Sequence, residues 1–101
     1  MNMQMIMQQA KKMQADLQKT QMELEKTEYE GTSSLVNVKI NGKYEVVEVK
    51  INLPQDEAIE ADDREMLEDM LMVAMNEAVK KVAIDKEKKM SKYGQGLAGL
   101  M

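Results

Sequence analysis

Residues Met3, Ile6, Ala10, Met13, Leu17, Thr20 and Leu24 recur at alternating intervals of three and four. This is the a/d spacing of a helix that pairs with another helix, and it predicts a helix over 3–27. The intervening Gln, Lys, Glu and Met residues are good helix formers, and no Gly or Pro interrupts them. At 1.5 Å per residue the helix would be roughly 35–40 Å long. A small globular core cannot cover that length, so part of it should project and pair.

The period then changes to two. Val36, Val38 and Ile40 alternate with Asn37 and Lys39, and Val47, Val49 and Ile51 alternate with Glu48 and Lys50. Between them stands Asn41-Gly42, a tight-turn signal whose two central positions would both take positive φ. Pro54 cannot donate to a ladder and ends the second run. Segment 27–53 therefore reads as antiparallel strands: a two-stranded hairpin, or a three-stranded meander if Thr27–Gly31 is a strand punctuated by Gly31.

An acidic loop follows over 54–62. Asp62, with Glu65 three residues on, has the spacing of a capping box, and Asp63 and Glu65 suit the positive end of a helix dipole. The second helix is predicted over 63–92, stopping before Gly94. Leu67, Met70, Leu71, Ala74, Ala78 and Val82 form its stripe, which Met66, Val73, Met75, Val79 and Ala83 widen. So broad an apolar face implies two neighbours, such as a sheet and a helix. The Gly-containing segment 93–101 reads as a flexible tail. No internal repeat is present. With 101 residues, the expectation is a single α+β domain over 1–101, helix–strands–helix, which dimerisation would help to stabilise.

Net charge is −4, but it is unevenly spread. Residues 1–20 carry three lysines against one aspartate, and residues 79–101 carry six lysines against two acids. The middle carries fifteen acids against five bases. If the long helices pack antiparallel, the two basic ends meet, away from the acidic middle. Lys11, Lys12, Lys19, Lys80, Lys81, Lys88, Lys89 and Lys92 are then candidates to neutralise phosphates, with salt-dependent binding as the consequence. The plainer reading is a solvated surface with i,i+4 partners such as Lys12–Asp16 and Lys81–Asp85.

Composition removes other classes. The chain has no Cys and no His, which excludes disulfides, thiolate metal sites and the usual nucleophile–base pairs. Ser33 and Ser34 have no candidate base nearby in sequence, no Gly-rich loop could cradle a phosphate, and Asp56–Asp69 lacks calcium-loop spacing. No catalytic residue, metal, cofactor or small-molecule substrate is expected. No apolar run approaches the roughly 20 residues of a membrane span, and the N-terminus lacks the order of a signal peptide; a cytoplasmic protein is expected. Three Tyr, without Phe or Trp, make a poor stacking platform for single strands, so duplex DNA is the better nucleic-acid partner. The twelve methionines suit core and seam packing, or an adaptable protein-binding surface. A coiled-coil protein–protein adaptor with no DNA role is the alternative.

The chain also carries Met7-Gln8-Gln9-Ala10-Lys11-Lys12-Met13-Gln14, Asn41-Gly42, Val47–Ile51, Glu65-Met66-Leu67-Glu68-Asp69, Ala74-Met75-Asn76-Glu77-Ala78, and Met90 before a Gly-containing tail. With these pieces it resembles the YbaB/EbfC nucleoid-associated DNA-binding proteins along nearly its whole length. The order and spacing of these pieces carry the likeness. Where such proteins usually have a Gly-rich segment before the first clear strand, this chain has Thr32-Ser33-Ser34. The resemblance implies an α–β–β–β–α protomer and a tweezer-shaped homodimer joined through its sheets, with helical arms. The strand faces Val36, Val38 and Ile40, and Val47, Val49 and Ile51, are the candidate dimer interface. It further implies binding to duplex DNA with little sequence preference, on the nucleoid, affecting nucleoid organisation and gene expression.

Overall fold

A computed structural model of the protein describes residues 2–100, with side chains described for 2–91 and Tyr93. The order is α1 (Met3–Lys26), β1 (Glu28–Ser33), β2 (Val36–Asn41), β3 (Val46–Ile51), a 3-10 turn at Ala61–Asp63, and α2 (Arg64–Leu100). This is the α–β–β–β–α arrangement, with a three-stranded antiparallel sheet in the order β1-β2-β3. The molecule measures 72 × 20 × 14 Å, so helices do project far beyond the sheet.

α1 begins where the Asn2 side chain accepts the Gln4 N–H at 3.0 Å, satisfying one of the first turn's orphan donors. It ends at Thr27, whose hydroxyl donates to the Glu23 carbonyl at 2.7 Å. Along its seam Leu24 is buried and Met13, Leu17 and Thr20 are half-buried, whereas Met3, Ile6 and Ala10 are exposed. The seam is thus covered only over its C-terminal half.

The core lies between α2 and the sheet. Val36, Val38 and Ile40 of β2 are fully buried against Ala74, Ala78 and Val82 of α2, flanked by Tyr29, Leu67, Met70, Leu71 and Met75. Small residues on α2 let the helix settle onto the strands, and Gly31 completes this fit. A Cβ at Gly31 would stand 1.9 Å from the Ala74 carbonyl oxygen and 2.6 Å from the Ala78 nitrogen. Gly31 therefore lies inside β1 as a close-approach residue, not at its end as punctuation.

Two turns differ from expectation. Asn41-Gly42 does not form a two-residue loop with both positions at positive φ. The Tyr44 N–H bonds the Asn41 carbonyl at 3.0 Å, the Asn41 N–H bonds the Glu45 carbonyl at 3.0 Å, and Tyr44 alone takes the left-handed conformation, φ 63°. This is the three-residue hairpin with a bulge at its last position. The Asn41 side chain accepts from the Lys43 and Glu45 N–H groups at 2.9 and 3.1 Å. Gly42 is required for proximity, since a Cβ there would meet the Leu24 carbonyl oxygen at 1.9 Å. Between β1 and β2, Ser34 also takes a left-handed conformation, φ 51°.

The start of α2 is capped two residues earlier than predicted. The Asp63 carboxylate accepts the Glu60 N–H at 3.1 Å, so Glu60, not Asp62, occupies the cap of the entry turn. At the other end α2 does not stop before Gly94 but continues to Leu100, with Met101 outside the described residues. A glycine inside a helix costs only about 1 kcal/mol relative to alanine, and it ends a helix when it turns left-handed. No described glycine has positive φ. The expected tail over 93–101 is thus helical as far as it is described.

Candidate nucleic-acid interface

α1 and α2 run side by side in opposite senses. Near the sheet, Leu24 and Glu25 of α1 share a cleft with Lys86 and Met90 of α2. Further out, Tyr93 of α2 reaches Thr20 and Asp16 of α1. The Thr20 and Tyr93 hydroxyl oxygens lie 2.8 Å apart, and the Tyr93 O–H donates to the Asp16 carbonyl at 3.3 Å. Gln9, Lys12, Met13, Asp16 and Tyr93 line a shallow cleft beyond that contact. The C-terminal half of α1 therefore accompanies α2 around Lys86–Tyr93, and Lys12 and Lys19 share this two-helix arm with Lys88 and Lys89, while Lys81 lies against β1.

Acidic residues cluster elsewhere. The loop through Asp56, Glu57 and Glu60 is exposed and leads into the N-terminus of α2. At 1.5 Å per residue, Lys88 lies roughly 36 Å along α2 from Arg64. The sheet face away from α2 carries a cross-strand ladder in which Glu30 pairs with Lys39 and Lys39 with Glu48. Lys39 Nζ is 3.3 Å from the Glu48 carboxylate and Lys50 Nζ 3.6 Å from it. The bond from Lys39 holds the Glu48 carboxyl below its ordinary value, and Glu48 in turn raises Lys39.

The candidate lysines fall into two groups. Lys11, Lys12 and Lys19 on α1, and Lys80 and Lys88 on α2, are exposed. None of these five has an ion pair among the described residues. Lys81 is held, by the Glu77 carboxylate at 3.3 Å and by the Glu30 carbonyl, to which it donates at 2.7 Å. Lys89 is held by Asp85 at 3.0 Å. The expected i,i+4 pairs Lys12–Asp16 and Lys81–Asp85 are not the ones formed; Lys81 turns back to Glu77 and Asp85 forward to Lys89. The side chain of Lys92 lies outside the described residues. Asp85 also accepts the Tyr29 hydroxyl proton. That bond, ahead of Lys89, lowers the Asp85 carboxyl, while burial, ahead of Asp85, pushes Tyr29 up to about 12. Two further lysines, outside the candidate set, are exposed. Lys26 continues the seven-residue spacing of Lys12 and Lys19, and Lys86 stands 5.5 Å over the Tyr44 ring.

The two sets of strand residues separate. Val36, Val38 and Ile40 are covered by α2 within the protomer, so they are not open to a partner here. Val49 and Ile51 pair with Val38 and Val36 and so share that face of the sheet. Yet α2 packs on β1 and β2 and makes no contact with β3. A register shift between Lys39 and Ile40 leaves Val47 as the extra residue of β3. Val46, Val47, Val49 and Ile51 are consequently 45–47% exposed. Exposed Met72 and Val79 of α2 add to the apolar surface of the protomer. Among the described residues, no group of His, Cys, Asp or Glu is arranged to hold a metal ion, and no helix is long and apolar enough to cross a membrane.

Residues 1–97 of the chain match the model of the YbaB/EbfC DNA-binding family. The chain belongs to that family. It is 41% identical to a nucleoid-associated protein of Chloroflexus aurantiacus, covering 99% of both chains. It is 36% identical to one from Ligilactobacillus salivarius, over 99% of this chain and 95% of that one. Its fold matches the crystal structure of the uncharacterised protein HP0035 from Helicobacter pylori with a TM-score of 0.70 and 21% identity, over 92% of this chain and 97% of that one.

Proposed function

We propose that the protein is a nucleoid-associated DNA-binding protein that acts as a homodimer. Its helical arms grip duplex DNA mainly through phosphate contacts, with little sequence preference, on the nucleoid in the cytoplasm. Effects on nucleoid organisation and gene expression would follow from that occupancy. It performs no catalysis. The observation that carries this reading is the union of Lys12 and Lys19 of α1 with Lys88 and Lys89 of α2 in one arm, through Tyr93 and Thr20, while the acidic loop sits at the far end of α2. Family membership supports it, as do relatives named nucleoid-associated proteins.

The tyrosines favour a duplex over a single strand. Tyr93 is buried, Tyr29 is half-buried with its hydroxyl engaged, and Tyr44 lies under Lys86. Only Tyr44 keeps an exposed ring, and a single ring gives bases no series of partners to stack on. Self-association is supported by the exposed β3 valines and Ile51, an unpaired apolar edge of the kind that monomers avoid.

The exposed Met3, Met5, Ile6 and Met7 favour a second reading, a protein-binding adaptor without DNA. Titration of labelled duplexes of two unrelated sequences separates the two. Binding to both with affinities within about fivefold supports the first reading. Absence of binding at low salt refutes it and leaves the adaptor.

A further inference from the structure

The lysines of the arm are not equivalent, and their differences single out one surface. On α1 the residues opposite the seam are Gln4, Gln8, Lys12, Ala15, Lys19, Met22 and Lys26, at helical spacing. Lys12, Lys19 and Lys26 recur every seven residues, which places them in one row about 10.5 Å apart. All three are exposed, and none has an ion pair among the described residues. The seam side of α1 is taken up by α2 and by the end of β2, so Lys19 and Lys26 face away from the rest of the protomer, and Lys12 stands at the rim of the cleft it shares with Tyr93. Asp16 and Glu23 border the row on one side only.

Two lysines of α2 are spent differently, whereas Lys80 and Lys88 are exposed without an ion pair among the described residues. Lys81 and Lys89 are neutralised by Glu77 and Asp85, and Lys81 also anchors β1 through the Glu30 carbonyl. A phosphate approaching either would meet a carboxylate within a few ångströms, or would break a contact that holds helix to sheet.

We infer that the row Lys12–Lys19–Lys26 on the outer face of α1 is the principal phosphate-contacting track, and that Lys81 and Lys89 are structural. This rests on the duplex-binding reading. The row spans about 21 Å, the axial rise of roughly six base pairs at 3.4 Å each. That is a length over which an extended helix can follow the backbone of a duplex. Lys26 joins the interface, although it stands outside both basic ends of the chain.

The test compares Lys12→Gln/Lys19→Gln/Lys26→Gln with Lys81→Gln/Lys89→Gln, each against the unaltered protein, on one labelled duplex between about 50 and 200 mM salt. Glutamine is a good helix former; circular dichroism and sedimentation check that fold and assembly survive. Each lost phosphate contact flattens the slope of log K against log salt by about 0.9. In a dimer the triple variant removes six contacts and should lose roughly 5 in slope and bind at least tenfold more weakly, while the double variant changes slope by less than about 1. A triple variant that keeps the original slope and affinity, or a double variant that loses more, overturns the assignment while leaving duplex binding intact. Failure of the unaltered protein to bind removes the duplex reading and the track together.

Discussion

The Tyr93 hydroxyl of α2 lies 2.8 Å from the Thr20 hydroxyl of α1, and this bond joins the lysine-bearing stretches of the two helices into one arm. Among the described residues, Tyr93 is one of the few buried beyond the sheet. Its ring supplies apolar contact and its O–H reaches the Asp16 carbonyl as well. Tyr93→Phe keeps the ring and removes the bonds, which should cost about 1 kcal/mol. Tyr93→Ala also removes the ring and should cost roughly 3 kcal/mol. Urea unfolding measures both, and faster amide exchange over 16–26 in the alanine variant would place the loss in the arm.

Two single-residue changes near β1 should act in opposite directions. Gly31→Ala drives a methyl group into the Ala74 carbonyl, at 1.9 Å before relaxation, and should destabilise by roughly 2 to 3 kcal/mol. Ser34→Gly relieves a left-handed serine, φ 51°, and should stabilise by about 0.5–1 kcal/mol. Thermal unfolding of the two variants checks the signs directly.

The Tyr29–Asp85 bond makes stability pH-dependent at both ends of the range. Asp85 is depressed by Tyr29 and then by Lys89. Its contribution is present above the ordinary carboxylate pKa and is lost as pH falls through the depressed value. Tyr29 is raised by burial and by Asp85 to about 12. Its contribution is present below the ordinary tyrosine value near 10 and is lost as pH rises towards 12. Tyr29→Phe should flatten both limbs of a plot of unfolding free energy against pH. A variant whose acid and alkaline limbs match the original would contradict the assignment.

Core and interface valines can be told apart, although they alternate identically. Val38→Ala empties space beneath α2 and should cost about 2 kcal/mol without altering assembly. Val49→Asp and Ile51→Asp fall on β3, which α2 does not reach. They should leave the protomer folded and shift a dimer to monomer in sedimentation equilibrium. An unaltered protein that is monomeric at all concentrations would refute the proposed homodimer.

Much of the fold was legible because it rests on periodicity. The seam from Met3 to Leu24, the alternation at Val36–Ile40 and Val49–Ile51, and the stripe through Ala74, Ala78 and Val82 gave element order and type. Features that depend on what lies opposite a residue were not legible. Gly31 and Gly42 resemble turn signals in the sequence, but each is fixed by a backbone carbonyl from a distant helix. The left-handed residue of the hairpin is Tyr44, not Asn41 or Gly42, because the closing bonds select a three-residue loop. Identical valine patterns on β2 and β3 gave no hint that one is covered and the other bare; the lateral placement of α2 decides that. For the lysines, charge runs indicated the arm, but which cations are already neutralised depends on Glu77, Asp85 and the Glu30 carbonyl in space. The spacing Lys12–Lys19–Lys26 was present in the sequence and crossed the boundaries of the charge-rich segments.

The central claim, a duplex held by its phosphates, is tested most directly by the affinity of the unaltered protein for a labelled duplex as salt rises from about 50 to 200 mM. Log K should fall linearly with log salt at a slope of several counterions, with a loss in affinity of roughly a thousandfold for six contacts. A flat response, or no binding at the lowest salt, would contradict it.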